Sequence, residues 1–532
     1  MRKFSSYGPI DTELHYYAPR TALIDRAMLQ LVGEIPNKDG HYITVWAPRQ
    51  CGKTWVMQQV VLRLRNEAQY NNFDVVVLSL EHLKREQDVN TIVGGIAQEI
   101  LADLGLEQEP ITDLKAFHHV FKKEVLQKPL ILILDEFDAL PEDAISGIAG
   151  VLRNIYNSRQ YETDKSSAEK KYLLHGVALI GVRSVLGIEN VTGSPFNVQR
   201  SLHVPNLTFA EAESMFKWYE QESGQQVEPA VVEQVYYETQ GQPGLTCWLG
   251  ELLTETYNKQ NPTITRRDFE IAYAAAVDAL PNANILNIIS KARQEPYQEL
   301  VWEMFQTNEK IPFRYDDPRT NFLYMNGVVD QEIVDETKRY LKFACPFVQK
   351  RLFNYFSYTL FRYLGKLYEP FENLEDTITE NQLNVKNLLK RYERYLKQNR
   401  DWLFKDAPRR ADFQIYEAVY HFTLYMYLAS FLQHRRGQVF PEFPTGNGKI
   451  DLLIRYAGQM YGLELKTFTD LFGYREALEQ AARYGQQLGL REISLVFFVS
   501  SIDETNREKY ETVYIDQNTK ITVVPIFIET AN

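Results

Sequence analysis

The chain has 532 residues, 45% hydrophobic and 24% charged, which is ordinary globular usage and excludes a wholly disordered protein. Its 58 basic and 70 acidic residues give a net charge of −12, which excludes a uniformly basic coat for nucleic acid. A local basic groove stays possible, because the field at a ligand depends on how charge is distributed. At roughly 100–200 residues per domain, the length predicts about three to five domains. Cys51, Cys247 and Cys345 are too widely spaced for a CxxC zinc site or a disulfide framework and fit a reducing, cytoplasmic setting. Arg2 and Lys3 have no apolar run behind them, so no signal peptide is expected. The most apolar stretch, 418–432, is shorter than the roughly 20 residues of a membrane span.

In chain order, HYITVW (41–46) reads as a buried strand, followed by a glycine-containing loop and a helix over 55–65. FDVVVLSL (73–80), PLILILDEF (129–137) and HGVALIGV (175–182) read as three more strands, with helical patterns over 93–104 and 116–126 between them. This alternation predicts a multidomain α/β protein whose first domain, 1–206, is a parallel, doubly wound sheet. The polar segment 157–172 is expected to be an exposed loop. From Thr208 the strands stop. Thr208 is a candidate N-cap with Glu211 as its capping-box partner, and helical patterning continues as a lid over 207–285. Residues 290–367 mix helices with the strand-like pieces FLYMNGVVD and YLKFACP, an order that fits a winged helix. An acidic linker and a basic helix occupy 368–410, and a final α/β unit fills 411–532. No repeat of fixed period argues for a solenoid.

Residues 47–54, Ala47-Pro48-Arg49-Gln50-Cys51-Gly52-Lys53-Thr54, follow a strand and open a helix. This is the context of a phosphate-binding GxxxxGK[ST] loop, with Ala47 in place of the first glycine. Gly52 lets backbone N–H groups close on phosphate oxygens, and the helix N-terminus adds partial positive charge. Lys53 is expected to reach the β- and γ-phosphates of ATP, and the Thr54 hydroxyl to ligate Mg²⁺. At the end of the strand LILILD, Asp135 is expected to hold Mg²⁺ and Glu136 to polarise the attacking water. Residues 1–365 accordingly resemble a P-loop ATPase of the AAA+/STAND group. The resemblance implies that Tyr17-Ala-Pro-Arg20 flanks the adenine and that Pro243, in Gln240-Gly-Gln-Pro-Gly244, approaches the nucleotide from the lid. It also implies that Arg183 senses the γ-phosphate, with Ser184 competing for the sensor role. Arg153, Arg159 and Arg200 stay open as arginine-finger candidates, and self-association into a homo-oligomer is implied. Cys51 reads as a small loop residue rather than a nucleophile.

A second constellation lies in GNGKIDLLIRYAGQMYGLELKTF (446–468). Two strands joined at Gly458 form a hairpin that brings Asp451 alongside Glu464, with Lys466 two residues on and so on the same face. Two carboxylates and a lysine suit metal-assisted phosphodiester hydrolysis. Asp451 and Glu464, with the Leu465 carbonyl, would hold Mg²⁺, and Lys466 would orient water or offset developing charge. The helix 412–432 with Glu417, the strand VFPEF with Glu442, and the later helix with Gln480 and Tyr484 complete an αβββαβ order. With its D-x12-E-x-K spacing and Q-x3-Y element, this unit resembles the PD-(D/E)xK nuclease superfamily over about 411–532, with Ile450 in place of the proline. Glu442 reads equally as an extra ligand or a strand residue.

Residues 386–410 hold nine basic against three acidic residues, a local balance of +6. Val385, Leu389, Tyr392 and Leu396 share one helical face, which leaves Lys390, Arg394 and Lys397 outward for nucleic-acid contact, with Trp402 and Phe404 interleaved. A solvated helix face is the alternative. The functional expectation is an ATP-binding and ATP-hydrolysing protein coupled to Mg²⁺-dependent cutting of nucleic acid, DNA first, in prokaryotic defence or mobile-element control. The alternative is a STAND-like signalling or scaffold ATPase whose nuclease-like domain only binds. A DNA translocase or helicase ranks lowest, since one ATPase core is visible.

Overall fold

A computed structural model describes residues 1–38, 40–107, 109–181, 200–306, 310–410, 414–442, 451–468 and 470–530, which fall into two compact units. The first comprises Met1–Ala276 and Tyr315–Gly327. Its elements begin with α1 (Thr21–Val32), β1 (Tyr42–Trp46), α2 (Lys53–Asn66), β2 (Asp74–Ser79), α3 (Val89–Asp103), β3 (Leu130–Asp135), α4 (Glu142–Gln160), β4 (Leu174–Gly181) and β5 (Arg200–His203). The five strands are all parallel, in the order β2-β3-β4-β1-β5. LILIL in β3 is buried on both faces, as a strand covered by helices on either side must be. One face packs on α3 and α4 through residues such as Ile96, Leu132 and Leu152; the other packs on α1 and α2 through Leu31, Ile131 and Val56. The expectation of a parallel P-loop-type sheet therefore holds.

The lid helices α5 (Phe209–Ser223), α6 (Pro229–Thr239), α7 (Pro243–Glu251) and α8 (Arg266–Asp278) follow, with two-residue strands β6 (Gln226–Val227) and β7 (Thr263–Ile264). Thr208 and Glu211 form the capping box expected at the start of α5.

Three expectations in this unit need correction. The pattern over 116–126 yields only a short 3₁₀ turn, Phe117–Phe121. Phe117, Val120 and Phe121 are all drawn into the core there, and Lys122 pairs with Tyr172. The segment 157–172 is an exposed loop only in part: α4 runs to Gln160, the turns from Tyr161 to Lys171 are mostly exposed, and Arg159, Ser167 and Lys170 are buried. Arg159 donates to Ser167 Oγ at 2.8 Å and to the Tyr172 carbonyl, so it is a structural residue and not an arginine finger. The strand-like reading of FLYM also fails. It forms the end of a helix capped by Asp317, whose carboxylate accepts from the Thr320 amide.

The second unit comprises Val277–Arg314 and Val328–Asn532. The first unit's main segment ends at Ala276. Residues 315–327, expected within the winged helix, also belong to the first unit. The second unit starts with α9 (Ala283–Ala292) and α10 (Tyr297–Gln306); α11 (Pro318–Met325) is the helix just assigned to the first. The hairpin β8 (Val329–Ile333) and β9 (Arg339–Phe343) leads into α12 (Pro346–Phe361), α13 (Val385–Leu403) and α14 (Glu417–Leu432). The helix read over 412–432 therefore starts at Glu417, with 411–413 outside the described residues.

A six-stranded mixed sheet closes the chain: β10 (Gln438–Glu442), β11 (Asp451–Tyr456), β12 (Gln459–Thr467), β13 (Glu492–Val499), β14 (Tyr514–Ile515) and β15 (Thr522–Glu529), with α15 (Leu471–Gln487) and α16 (Glu504–Tyr510). Its order is β10-β11-β12-β13-β15-β14, antiparallel across β10-β11-β12 and parallel across β12-β13-β15. Ala457 and Gly458 both take positive φ between β11 and β12, which is the geometry of a two-residue hairpin turn. α15 covers one face through Ala481, Leu495, Phe497 and Phe527. α14 packs on Phe498 through Tyr420 and His421, and burial pushes the His421 imidazole down to about 3, so it stays neutral. Among the described residues, no helix is long and apolar enough to cross a membrane.

α13 has the expected buried face of Val385, Leu389, Tyr392 and Leu396. Its charges are largely consumed. Arg391 is buried against Glu372 and Asp376 of the acidic linker. Lys397 is exposed, as expected, but pairs with Glu529 and lies 3.7 Å from Glu393. Lys390 and Arg394 remain exposed, Arg394 4.0 Å from Glu372. On α16, Arg507 donates to Glu393 at 2.8 Å and to the Phe527 carbonyl at 2.9 Å, which fastens α13, α16 and β15 to one another.

Candidate functional site

In the first unit, the loop after β1 meets the carboxyl ends of β2, β3 and β4, the side of an open parallel sheet where ligands bind. Ala47 is buried and does not take a positive φ, so its Cβ brings no backbone strain there. Gln50 (φ 57°) and Gly52 (φ 86°) take left-handed conformations, strained at the former and free at the latter. Cys51 is buried, with Sγ 3.7 Å from the Arg49 carbonyl and 3.8 Å from Asn206 Oδ1, a loop-holding role. Arg49 and Thr54 are exposed, and Pro48 is half-buried. Lys53 Nζ donates to the Ala47 carbonyl at 2.8 Å and the Pro48 carbonyl at 2.9 Å, and desolvation lowers its pKa. Thr54 Oγ1 donates to Asp135 Oδ2 at 2.9 Å, which brings the two proposed Mg²⁺ ligands together.

Glu136 follows Asp135 in the left-handed region (φ 57°), which turns its side chain back toward Ser79 Oγ, 3.4 Å away. Desolvation, then Glu81 and Asp135, raise its pKa, as suits a carboxylate that must take a proton. Ser79 and Glu81 were not singled out from the sequence. Their signal was position alone, at the end of a buried strand beside the acid pair.

Pro243 opens α7, and Gly244 N donates to the Gln50 carbonyl at 3.0 Å. Gln242 Nε2 donates to the Arg49 carbonyl at 3.0 Å, a lid-to-loop contact that the sequence reading missed although Gln242 stood within the quoted motif. Tyr17 packs at 4.9 Å from the Trp55 ring and 5.3 Å from Trp218, so the N-terminal element does reach the start of α2. Arg153 is exposed on α4 and Arg200 on β5, and nothing selects between them. Arg183 and Ser184 lie outside the described residues.

In the second unit, Asp451 stands directly opposite Glu464 in the antiparallel register, and Glu442 opposite Asp451, giving a row of three acidic positions across β10, β11 and β12. Asp451 is 1% exposed, Glu464 0% and Lys466 7%. Lys466 Nζ lies 3.4 Å from Glu464 Oε1 and donates to Gln480 Oε1 of α15 at 2.9 Å. Gln480 thereby joins the acid–lysine group. Tyr484, one turn later, packs in the apolar core under α15. Leu465 is buried, its side chain on the opposite face from Glu464 and Lys466. Glu417 is the first residue of α14, on the element that packs against the other side of the sheet. Among the described residues, no three His, Cys, Asp or Glu side chains cluster as a metal site.

The AAA-like domain family matches residues 6–261. Among solved structures, the Walker-type ATPase PABY2304 of Pyrococcus abyssi is 13% identical, with 66% of this chain and 99% of that one covered and a TM-score of 0.42. The Orc1 protein of Aeropyrum pernix, solved in complex with DNA, is 18% identical over 63% of this chain and 92% of that one, with a TM-score of 0.32. The RuvB Holliday junction branch migration motor of Thermotoga maritima is 14% identical over 61% and 92%, with a TM-score of 0.32. No curated protein matches the sequence. With its phosphate loop, acid pair and β2-β3-β4-β1-β5 sheet, the stretch 6–261 is an AAA-like P-loop ATPase domain.

Proposed function

We propose that this protein binds and hydrolyses ATP in its first unit and couples that cycle to Mg²⁺-dependent phosphodiester hydrolysis of nucleic acid, DNA in the first instance, by a PD-(D/E)xK-type second unit. The observation that carries the nuclease half is the pairing of Asp451 with Glu464, with Lys466 on the same face and bonded to Gln480. Both candidate ion sites present oxygen donors, as a hard cation requires: Thr54 with Asp135, and Asp451 with Glu464. Bound there, Mg²⁺ supplies positive charge to phosphate oxygens and acidity to water.

The side chains do the rest. Lys53 leaves the Ala47 and Pro48 carbonyls for the β- and γ-phosphates, and Glu136, with its raised pKa, accepts the proton of the attacking water. In the second unit, Lys466, steadied by Gln480, orients water and offsets charge on the phosphorane. Arg183, Pro243 and an arginine from another subunit would complete the ATP site of a STAND-like switch, and Lys390 and Arg394 would hold the nucleic-acid backbone. A switch of this kind joined to a nuclease suits prokaryotic defence or mobile-element control.

The test is cleavage of plasmid, single-stranded DNA and RNA in Mg²⁺ with and without ATP, by the parent, Lys53→Ala and the Glu464→Ala/Lys466→Ala pair. Cutting by the parent that the pair abolishes is expected; cutting by the pair at the parent's rate refutes the assignment. The near-complete burial of Asp451 and Glu464 favours a second reading, a signalling or scaffold ATPase whose sheet domain binds nucleic acid or a partner without cutting. Binding with no cleavage under any nucleotide would decide for it.

A further inference from the structure

The linker 375–386 does not hang free. It lies against the second unit's sheet as a strap and, with β12, β13 and β15, lines a half-open cavity of about 340 Å³. Its lining includes Tyr461, Ser494 and Val524, which are buried or half-buried, and Glu375 and Glu492, which are exposed. Ser494 and Leu495 are neighbours on β13 and so point to opposite faces. Leu495 packs under α15 and registers with Glu464, so the cavity opens on the face away from the acid–lysine group.

The strap is held at several points. The Tyr456 hydroxyl donates to the Thr379 carbonyl at 2.6 Å, and the Tyr461 hydroxyl accepts from the Leu383 amide at 3.2 Å. Asn387 Nδ2 donates to the Asp376 carbonyl at 2.8 Å, and Arg391 binds the Asp376 carboxylate at 2.6 Å. The walls are therefore in place before any ligand arrives, which lowers the entropic cost of binding.

The polar groups left over decide the chemistry. Asp376 is spent on Arg391, and the cation of Lys386 lies 3.7 Å from Glu511. Glu375 and Glu492, both exposed in the lining, form no ion pair with a described residue. Ser494 is 6% exposed, and its hydroxyl makes no hydrogen bond to another described residue. A buried hydroxyl facing a cavity with two uncommitted carboxylates in its lining asks for a ligand rich in N–H donors and positively charged. The volume is at the small end of the roughly 300–1,000 Å³ of ligand pockets. We infer that this cavity binds a small aliphatic polyamine, one ammonium between Glu375 and Glu492 and an inner N–H on Ser494. The inference does not depend on the nuclease reading.

The test is titration calorimetry of the full chain with spermidine at moderate ionic strength. One saturable site per chain is expected, weakened at least tenfold in Glu375→Gln/Glu492→Gln and more mildly in Ser494→Ala, and unchanged in Glu464→Gln. The carboxamide pair lies at exposed positions, so a loss there cannot be put down to misfolding if the thermal transition is unmoved. Absence of a saturable site, equal affinity in the carboxamide pair, or full competition by Mg²⁺ at equal charge concentration would overturn the inference, since each describes only counterions gathered by an acidic surface.

Discussion

Replacing Arg507 with Met should loosen α13 from the C-terminal sheet. The Arg507 side chain is 15% exposed and donates to Glu393, the Phe527 carbonyl and, at 3.4 Å, Glu511, with Glu529 3.9 Å away. Methionine keeps most of the volume, so the loss is electrostatic: three carboxylates remain close together with their shared cation gone. Removing one partner of a buried pair costs about 3–5 kcal/mol. Lys397, 3.7 Å from Glu393, and Lys386, 3.7 Å from Glu511, still offset part of the charge, which argues for the lower end, about 3 kcal/mol. A protein of two units need not unfold in one transition, so the readout must be local. Hydrogen exchange followed by mass spectrometry on peptides spanning 385–403 and 522–529 supplies it. At about 1.4 kcal/mol per tenfold, exchange there should quicken on the order of a hundredfold, while peptides over 130–135 keep their rates. A change below about threefold at 385–403, or equal acceleration in both units, would show that these pairs behave as solvated surface charges and refute the reasoning.

Acid should reach the same cluster. The Glu529 carboxyl is held below its ordinary range, first by the hydrogen bond from Lys397, so its contribution is present at neutral pH and lost as pH falls through the depressed folded value; protection at 522–529, measured against the intrinsic rate at each pH, should fall with acid in the parent and less so in Glu529→Gln. In the ATPase unit, Glu81→Gln removes one of the charges that raise the Glu136 pKa, so the acid limb of the ATPase pH profile should move to lower pH; an unmoved limb would separate that limb from Glu136. Gly244→Ala places a Cβ about 2.6 Å from Gln50 Cβ, so α7 must retreat from the loop and its amide must lose the Gln50 carbonyl. Overpacking of this kind costs about 1–3 kcal/mol, and ATP should bind more weakly in equilibrium titration, with no change in affinity counting against a lid role for α7. Gln480→Leu strips Lys466 of its steadying acceptor and should slow any Mg²⁺-dependent cleavage more than it weakens nucleic-acid binding, as a rate-against-affinity comparison would reveal.

The parts of the fold legible in the sequence were those with strong local signals. Continuous apolar runs such as LILIL could only be strands covered on both sides, and the glycine-lysine-threonine step after such a strand marked the loop. The hairpin pairing of Asp451 and Glu464 followed from a turn and strict alternation, which fix register. What was illegible depended on partners distant in sequence. Helical periodicity says nothing about Glu372 or Glu529, so the ion pairs that engage Arg391 and Lys397 could not be read from it. Arg159 read as a loop cation for the same reason: its acceptors, Ser167 and the Tyr172 carbonyl, lie on a polar stretch that only tertiary folding buries. Gln480 meets Lys466 and Tyr484, one turn on, packs in the core under α15, contacts that the i, i+4 spacing alone does not assign.

The return of Tyr315–Gly327 to the first unit bears on how this chain is made. Trp46 meets Tyr324 at 6.0 Å between ring centroids, so a strand formed early in synthesis acquires this neighbour only after more than half the polypeptide has emerged. At roughly 5–20 residues per second, the interval from β1 to that segment lasts on the order of tens of seconds. During it, the ribosome-bound N-terminal unit lacks part of its surface cover while the first helices of the next unit, α9 and α10, are already outside. A truncation at residue 276, the natural choice for isolating the ATPase, would make that nascent intermediate permanent. A shortened chain ending after Gly327 restores the segment, at the cost of leaving α9 and α10 without α12 and α14, which cover them in the second unit.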